Sequence, residues 1–460
     1  FYSGVATSGG SLDDLNAVKL YLPLRELTKS GGIFEDNTTY SNTATALNKA
    51  ITGLKAHNDT YSIGTGTLAE TAGKKTVAGG WWHKKDYENQ MWLDGAYMGS
   101  ALFAELVNYS GKTTNIDSSN DWDLIVKQFT ILHEMCWNSS DKLPYHAFAA
   151  DGGTNSTSHS DTWAGLSSKS PYVFHSASYW GRAVGWYFLA LVDILEQMDK
   201  ANLTSTEGYT TLKGYLTETA EGLSARQDKT TGGWYQILDK DGTYSASEYN
   251  NGQSHTTTYN YIESSATALF TAAYLKAIRL GYLDGTTYKT VAENGYKCLV
   301  NNFFSVDENG KVNIFGSCRS AGLGGSGDNY KAGKERYRDG SKEYYLLGYD
   351  VAKVEKTENK TEGKVLGAFI MAATEYERAN EKAIRFSYDL APSYTLANGK
   401  SIKAEALGSG TIKYQWYNSD GSLVSESETF TPTESGKYYC KATNGSTTIQ
   451  TSTTTVTVNE

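Results

Sequence analysis

The densest chemistry in the chain lies in GGWWHKKDYENQMWLDGAYMGSALFAEL, residues 79–106. Asp94 is the only acid between Asn89 and Leu102, and Met91, Trp92, Leu93, Tyr97 and Met98 surround it in sequence. An apolar surround disfavours an ionised carboxylate, the condition a general acid needs near neutrality. The positive end of a helix starting near 90 opposes this, but burial is the larger effect. An N-terminal helix aspartate that only caps is the alternative reading. His83 (WWHKK) and His146 (LPYHAF) each sit in an aromatic-flanked loop, as two of only seven histidines. Each reads either as a site residue or as a satisfied structural histidine. No paired His or carboxylate spacing supports a metal ligand set.

SYWGRAVGWY places Arg182 and Trp186 four residues apart, on one helix face. A guanidinium beside an indole suits an anionic sugar, with the fork on a carboxylate and the indole on the ring. A cation–π pair inside a helix interface is the ligand-free alternative. TGGWYQILD offers Trp234 on a short extended piece, and YIESSATALF puts Glu263 at a helix start. SCRSAGLGGSG is glycine-rich but lacks the GK[ST] ending of a phosphate loop. No cofactor motif appears.

Two regimes of elements must position these residues. Up to about residue 380, apolar residues recur at helical spacing, as with Trp186, Leu189 and Ala190. The pattern predicts helices near 11–29, 41–57, 90–109, 121–138, 177–200, 209–226, 262–281, 287–303, 342–354 and 363–380. Strands do not alternate with them, so helix packs on helix. The loops 139–176, 227–260 and 305–341 are long and carry WAG, WYQ and CRSAGLGG, which marks them as site-forming. From about 386 the chain is rich in Thr, Ser, Val and Tyr. GTIKYQWYNSDG gives a strand bearing Trp416, and ESGKYYCKATN puts Tyr438 two residues before Cys440. This resembles an immunoglobulin-like sandwich without the earlier cysteine of its inter-sheet disulfide. The division predicted is 1–383 and 384–460.

Composition narrows the partners. The 460 residues carry a net charge of −9 and are 13% aromatic, with only 5 prolines. An acidic surface gives nucleic acid no sequence-independent attraction. No apolar run is long enough for a membrane span. Cys136, Cys298, Cys318 and Cys440 show no metal spacing and allow three pairings or free thiols. Without an initiator Met or a leader at Phe1, the chain reads as processed or trimmed.

QMWLDGAYM, WGRAVGW, GGWYQILD, ESSATALF, CRSAGLGG and DGSKEYYL, taken in order, resemble the unsaturated rhamnogalacturonyl hydrolases, glycoside hydrolase family 105, related to family 88. The resemblance runs from about 11 to 380. It implies an all-α (α/α)6 barrel, no cofactor, and an oligosaccharide substrate ending in a 4,5-unsaturated uronic acid. It puts the proton donor on Asp94 and a second active-site acid on Asp13, with Asp14 as a register alternative. His83, Trp92, His146, Arg182, Trp186 and Trp234 become substrate-binding residues, with Arg182 or a His to hold the uronate carboxylate; charge favours Arg182 for that role. Six hairpins need twelve helices and the pattern yields about ten; the family's opening hairpin has no counterpart before Phe1. The stretch 30–82 is longer than the family's usual connection, a lid or a surface insertion.

The implied reaction protonates C4 of the sugar's vinyl ether, adds water at C5, and lets the resulting hemiketal open and release the next sugar. One carboxyl group can serve as acid and then base. Ordinary glycoside hydrolysis instead uses two flanking carboxylates, and a barrel glycosidase of that kind, or a non-catalytic sugar-binding barrel, are the competing readings. The sandwich appendage points to an exported bacterial protein, periplasmic or extracellular. The aromatic excess near Trp81, Trp82, Tyr145, Trp163, Trp180 and Trp234 suggests a sugar-stacking cleft. An acidic chain with an anionic substrate demands a locally positive site.

Overall fold

A computed structural model describes the chain except for residues 1–4, 6, 75, 112–113, 115, 117–119, 153–162, 165–172, 240–242, 245–257, 309, 325–337, 339, 348–362, 380–383, 409–410, 446 and 460. It divides into two compact units, Phe1–Tyr376 and Glu377–Glu460.

The helices of the first unit are α1 (Leu12–Asn16), α2 (Tyr21–Thr28), α3 (Asn37–Thr60), α4 (Leu68–Thr71), α5 (Leu93–Gly95), α6 (Leu102–Tyr109), α7 (Asp121–Cys136), α8 (Gly181–Lys200), α9 (Glu207–Arg226), α10 (Ser264–Arg279), α11 (Gly285–Phe303), α12 (Lys342–Leu347) and α13 (Gly363–Ala379). They build a helical barrel. α8 and α10 are buried nearly all round, as inner-layer helices must be. α9 and α11 bury one stripe and show water the other. The caps are those the sequence supplies: Asp36, Asn120, Thr206 and Asp284 each accept backbone N–H bonds at the starts of α3, α7, α9 and α11. Among the described residues four consecutive helix pairs pack on each other, α2 with α3, α6 with α7, α8 with α9 and α10 with α11. The predicted helix over 342–354 is described only to Leu347. The long stretch 30–82 contains the 24-residue α3, which packs on α2.

Two differences from the sequence pattern matter for the site. Gln90–Trp92 is a strand, not the first turn of a helix, because it pairs antiparallel with Ala147–Ala149. The helix that follows is not regular: Ala96–Ala101 forms a π-helical stretch between α5 and α6. Such stretches often mark functional sites.

The second unit is a β-sandwich. Its main sheet runs Ser393–Ala397, Thr454–Asn459, Gly436–Asn444, Lys413–Asn418 and Leu423–Ser425, with Thr447–Gln450 also on Gly436–Asn444. Trp416 is fully buried against Phe430, and the Tyr438 hydroxyl donates to the Glu434 carbonyl 2.9 Å away. That is the tyrosine corner of immunoglobulin-like domains. All four cysteines are buried free thiols. Among the described residues no helix is long and apolar enough to cross a membrane.

His133 in α7 stacks on Tyr215 at 3.8 Å and on Trp137 at 4.5 Å, and its Nδ1 is buried without a partner. Burial pushes its pKa down from 6.5 to about 4. The unfolded chain therefore binds an extra proton between those values. Stability is full above about pH 6.5 and is lost as pH falls towards about 4. His133→Phe keeps the stack and removes the titration. Urea midpoints at pH 7.5 and pH 5 are expected to differ less for this variant than for the wild type; equal differences would show that His133 does not contribute.

Candidate active site

The strand pair builds the centre of the site. Trp92 lies opposite Ala147, and the Leu93 N–H donates to the His146 carbonyl at 3.0 Å. Asp94 and His146, 52 positions apart in sequence, are thereby held side by side, with His146 Nε2 3.3 Å from Asp94 Oδ2. The other ring nitrogen, Nδ1, bonds the Tyr345 hydroxyl at 2.7 Å. Both His146 and Tyr345 are fully buried. The Tyr345 hydroxyl thus fixes the ring from the side away from Asp94. Burial lowers the pKa of His146, with Asp94 opposing, so the ring is neutral near pH 7.

Glycines let a second acid approach. A Cβ on Gly95 would sit 3.3 Å from Leu12 and 3.5 Å from His83, and one on Gly99 would sit 3.0 Å from Leu12. α1 therefore packs directly on the helical stretch that carries Asp94, and it brings Asp13 into the same cavity. Asp14, the register alternative, does not line that cavity. Asp13 lies 2.7 Å from Lys84 Nζ and 3.5 Å from His83 Nε2. Burial raises its pKa, but the bonds and charges of His83 and Lys84 outweigh this and hold the carboxyl well below the usual carboxylate range. Asp13 is thus an anion at any working pH.

The cavity has a volume of about 460 Å³, room for a sugar ring or two. Trp92, Tyr87 and His83 stand nearly parallel on one side, with Trp92 4.6 Å from Tyr87 and 5.0 Å from His83. Trp180 and Trp186 line it too. Lys84, Arg182, Arg338 and Lys364 contribute four cations, against the two carboxylates Asp13 and Asp94. The lining is therefore positive in a chain of net charge −9, as an anionic ligand would require.

Of the residues picked from sequence, Asp94, Asp13, His83, Trp92, Arg182 and Trp186 line one cavity, and His146 stands directly behind Asp94. Trp234 does not. It is fully buried in the core, its indole N–H donates to the Leu223 carbonyl at 2.8 Å, and it packs on Phe270 and Tyr274. The WYQ segment reads as an exposed loop, but the α10–α11 pair covers it. Trp81 and Trp163 are likewise buried, and Trp81 packs on Phe103, so the aromatic excess is mostly core.

Arg182 also departs from its assigned role. Its Nε donates to Ser265 Oγ at 2.7 Å, Nη1 to the Arg319 carbonyl at 3.1 Å, and Nη2 to the Cys318 carbonyl and, at 3.5 Å, to Glu263. Its cation–π neighbour is Trp180 at 5.4 Å rather than Trp186, which packs on Tyr97. Buried Glu263 completes the knot, capping α10 and accepting from the Cys318 N–H at 2.9 Å. Arg182 and Glu263 thus anchor the segment around Cys318 to the barrel wall. Arg182 positions that wall rather than forking onto a free carboxylate. Tyr345, Arg338 and Lys364 were not singled out from sequence. Only DGSKEYYL hinted at the first, and nothing in local spacing ties any of them to Asp94. Among the described residues no group of three or more His, Cys, Asp or Glu could hold a metal ion.

Comparison with known proteins agrees with this architecture. Protein Atu3128 of Agrobacterium fabrum is 34% identical over 193 residues, 41% of this chain and 69% of that protein. A 24.9 kDa protein in the picA locus of Rhizobium radiobacter matches to the same extent. The solved structure of a family 105 glycoside hydrolase from C. acetobutylicum ATCC 824 superposes with a TM-score of 0.57 at 27% identity, covering 81% of this chain and 84% of that one. The profile of Glycosyl Hydrolase Family 88 matches residues 54–380, most of the chain, and the protein belongs to that family of glycoside hydrolases.

Proposed function

We propose that this glycoside hydrolase removes a 4,5-unsaturated uronic acid from the non-reducing end of lyase-generated oligosaccharides, with unsaturated galacturonyl-rhamnose from rhamnogalacturonan as the first substrate to test. The observation that carries the reading is the division of labour between the two carboxyl groups. Asp13 is committed to Lys84 and His83 and stays ionised. That leaves Asp94 as the one carboxyl group in the lining placed to move a proton. Two-carboxylate hydrolysis needs both partners facing the glycosidic bond. Hydration of a vinyl ether needs one group that gives a proton to C4 and then takes one from the water attacking C5.

His146 Nε2 lies 3.3 Å from Asp94 Oδ2, and Asp94 lines the cavity. Trp92 and its parallel neighbours provide a face for the flattened ring. Asp13 and Asp94 line the same cavity, so their carboxylates would favour positive charge developing at C5. The test is a panel of rhamnogalacturonan-, ulvan- and glycosaminoglycan-lyase digests followed by the ultraviolet absorbance of the conjugated enol carboxylate. Loss of that absorbance with one digest and release of its next sugar is the expected result. Turnover of saturated aryl glycosides with every digest left intact would refute the reading.

A further inference from the structure

The uronate carboxylate needs a partner, and the buried bonds of Arg182 direct attention to the opposite side of the knot it anchors. We propose that Arg338 and Lys364, mounted on the glycine-rich segment 316–324, form the carboxylate-recognition subsite. This assignment rests on the uronyl reading above.

Three observations on this segment support it. First, the segment is fixed. The Ser264 N–H donates to the Gly316 carbonyl at 3.1 Å, the Cys318 N–H to Glu263 at 2.9 Å, and Arg182 holds the carbonyls of Cys318 and Arg319. Second, both cations are mounted on it. Arg338 and Gly324 exchange bonds, Arg338 Nε donating to the Gly324 carbonyl at 2.6 Å and the Gly324 N–H to the Arg338 carbonyl at 2.9 Å. Lys364 Nζ donates to the Arg319 carbonyl at 2.9 Å. Third, Ser320, Ala321, Gly322, Arg338 and Lys364 line the same cavity as Asp94.

Gly322 is the device that admits the guanidinium. Any Cβ there would collide with Arg338 Nη1. The collision is with the tip of a side chain whose Nε is tied to Gly324, so a methyl group would push the planar fork aside and leave the backbone in place. The chemistry fits: a guanidinium edge matches a planar carboxylate, and a lysine beside it adds charge without geometry. The run CRSAGLGG thus has a use unrelated to phosphate: it is a rigid shelf with one position stripped of its side chain for an arginine.

The test compares an unsaturated uronyl disaccharide with its C6 methyl ester, in wild type, Arg338→Gln, Lys364→Gln and Gly322→Ala. The quantity read in each protein is the ratio of KM for ester to KM for acid, so the intrinsic reactivity of the two alkenes cancels between variants. Wild type is expected to favour the acid. Arg338→Gln is expected to raise KM for the acid about 10- to 100-fold, the range for a lost bond to a charged group, with kcat within a few-fold and little change for the ester. Gly322→Ala, which alters no charge, is expected to change the ratio in the same direction, and Arg338→Lys to restore part of it. A wild type indifferent to esterification, or variants that raise KM equally for acid and ester, would overturn the assignment. A wild type that consumes neither compound would remove the uronyl reading itself, and this subsite with it.

Discussion

Asp94→Asn is expected to lower kcat about 10²- to 10⁴-fold while leaving substrate affinity within a few-fold of wild type. The asparagine is isosteric, so the strand register and the Leu93–His146 backbone bond that fix the position remain. What disappears is the carboxyl group proposed both to give and to accept a proton at the reacting double bond. The loss belongs near the upper end of the range, because one residue serves both half-steps. Single-turnover kinetics with a binding titration of the variant separate the two quantities. A kcat within about tenfold of wild type would move the proton transfer to another residue.

Arg182→Met is expected to destabilise the barrel unit by about 3–5 kcal/mol, the cost of breaking a buried ion pair from one side. Methionine keeps much of the volume but leaves Glu263, fully buried, without its cation. It also strips a donor from the carbonyls of Cys318 and Arg319. The effect follows from the uncompensated charge and the donor lost to the Cys318 carbonyl, not from lost apolar contact. Adding Glu263→Gln to this variant removes the charge, so the double variant is expected to recover part of the loss. Urea denaturation of the four proteins measures this. A single-variant loss under about 1 kcal/mol, with no coupling, would mean that the Arg182–Glu263 knot does not hold the segment. Because that segment carries the shelf for Arg338, Arg182→Met should also weaken substrate binding without Arg182 touching the carboxylate.

The elements of the barrel were legible where structure depends on local pattern. The apolar spacing of α8, α10 and α11 survives in the fold to within a few residues. The choice of Asp94, His83 and His146 likewise came from a run of aromatics that remains in contact in three dimensions. What the sequence hid depends on partners far along the chain. Gln90–Trp92 is extended because residues near 148 pair with it, and no local periodicity records that. Tyr345 reaches His146 across 199 positions. Trp234 looked like a loop aromatic, yet a Cβ on Gly295 would already sit 3.0 Å from its ring, so α11 is built to close over it. Arg182 was given the carboxylate on charge alone; its acceptors lie 81 to 137 positions away, and only the fold shows them.

The central claim is that the enzyme acts on the C4=C5 bond, with Asp94 moving the proton, and not on the glycosidic bond directly. Proton NMR followed from the first seconds of turnover of an unsaturated disaccharide tests it. The account predicts that the C4 vinyl resonance decays at the rate at which the next sugar is released, and that both processes stop together in Asp94→Asn. Release of a sugar fragment that still carries its vinyl proton would contradict it.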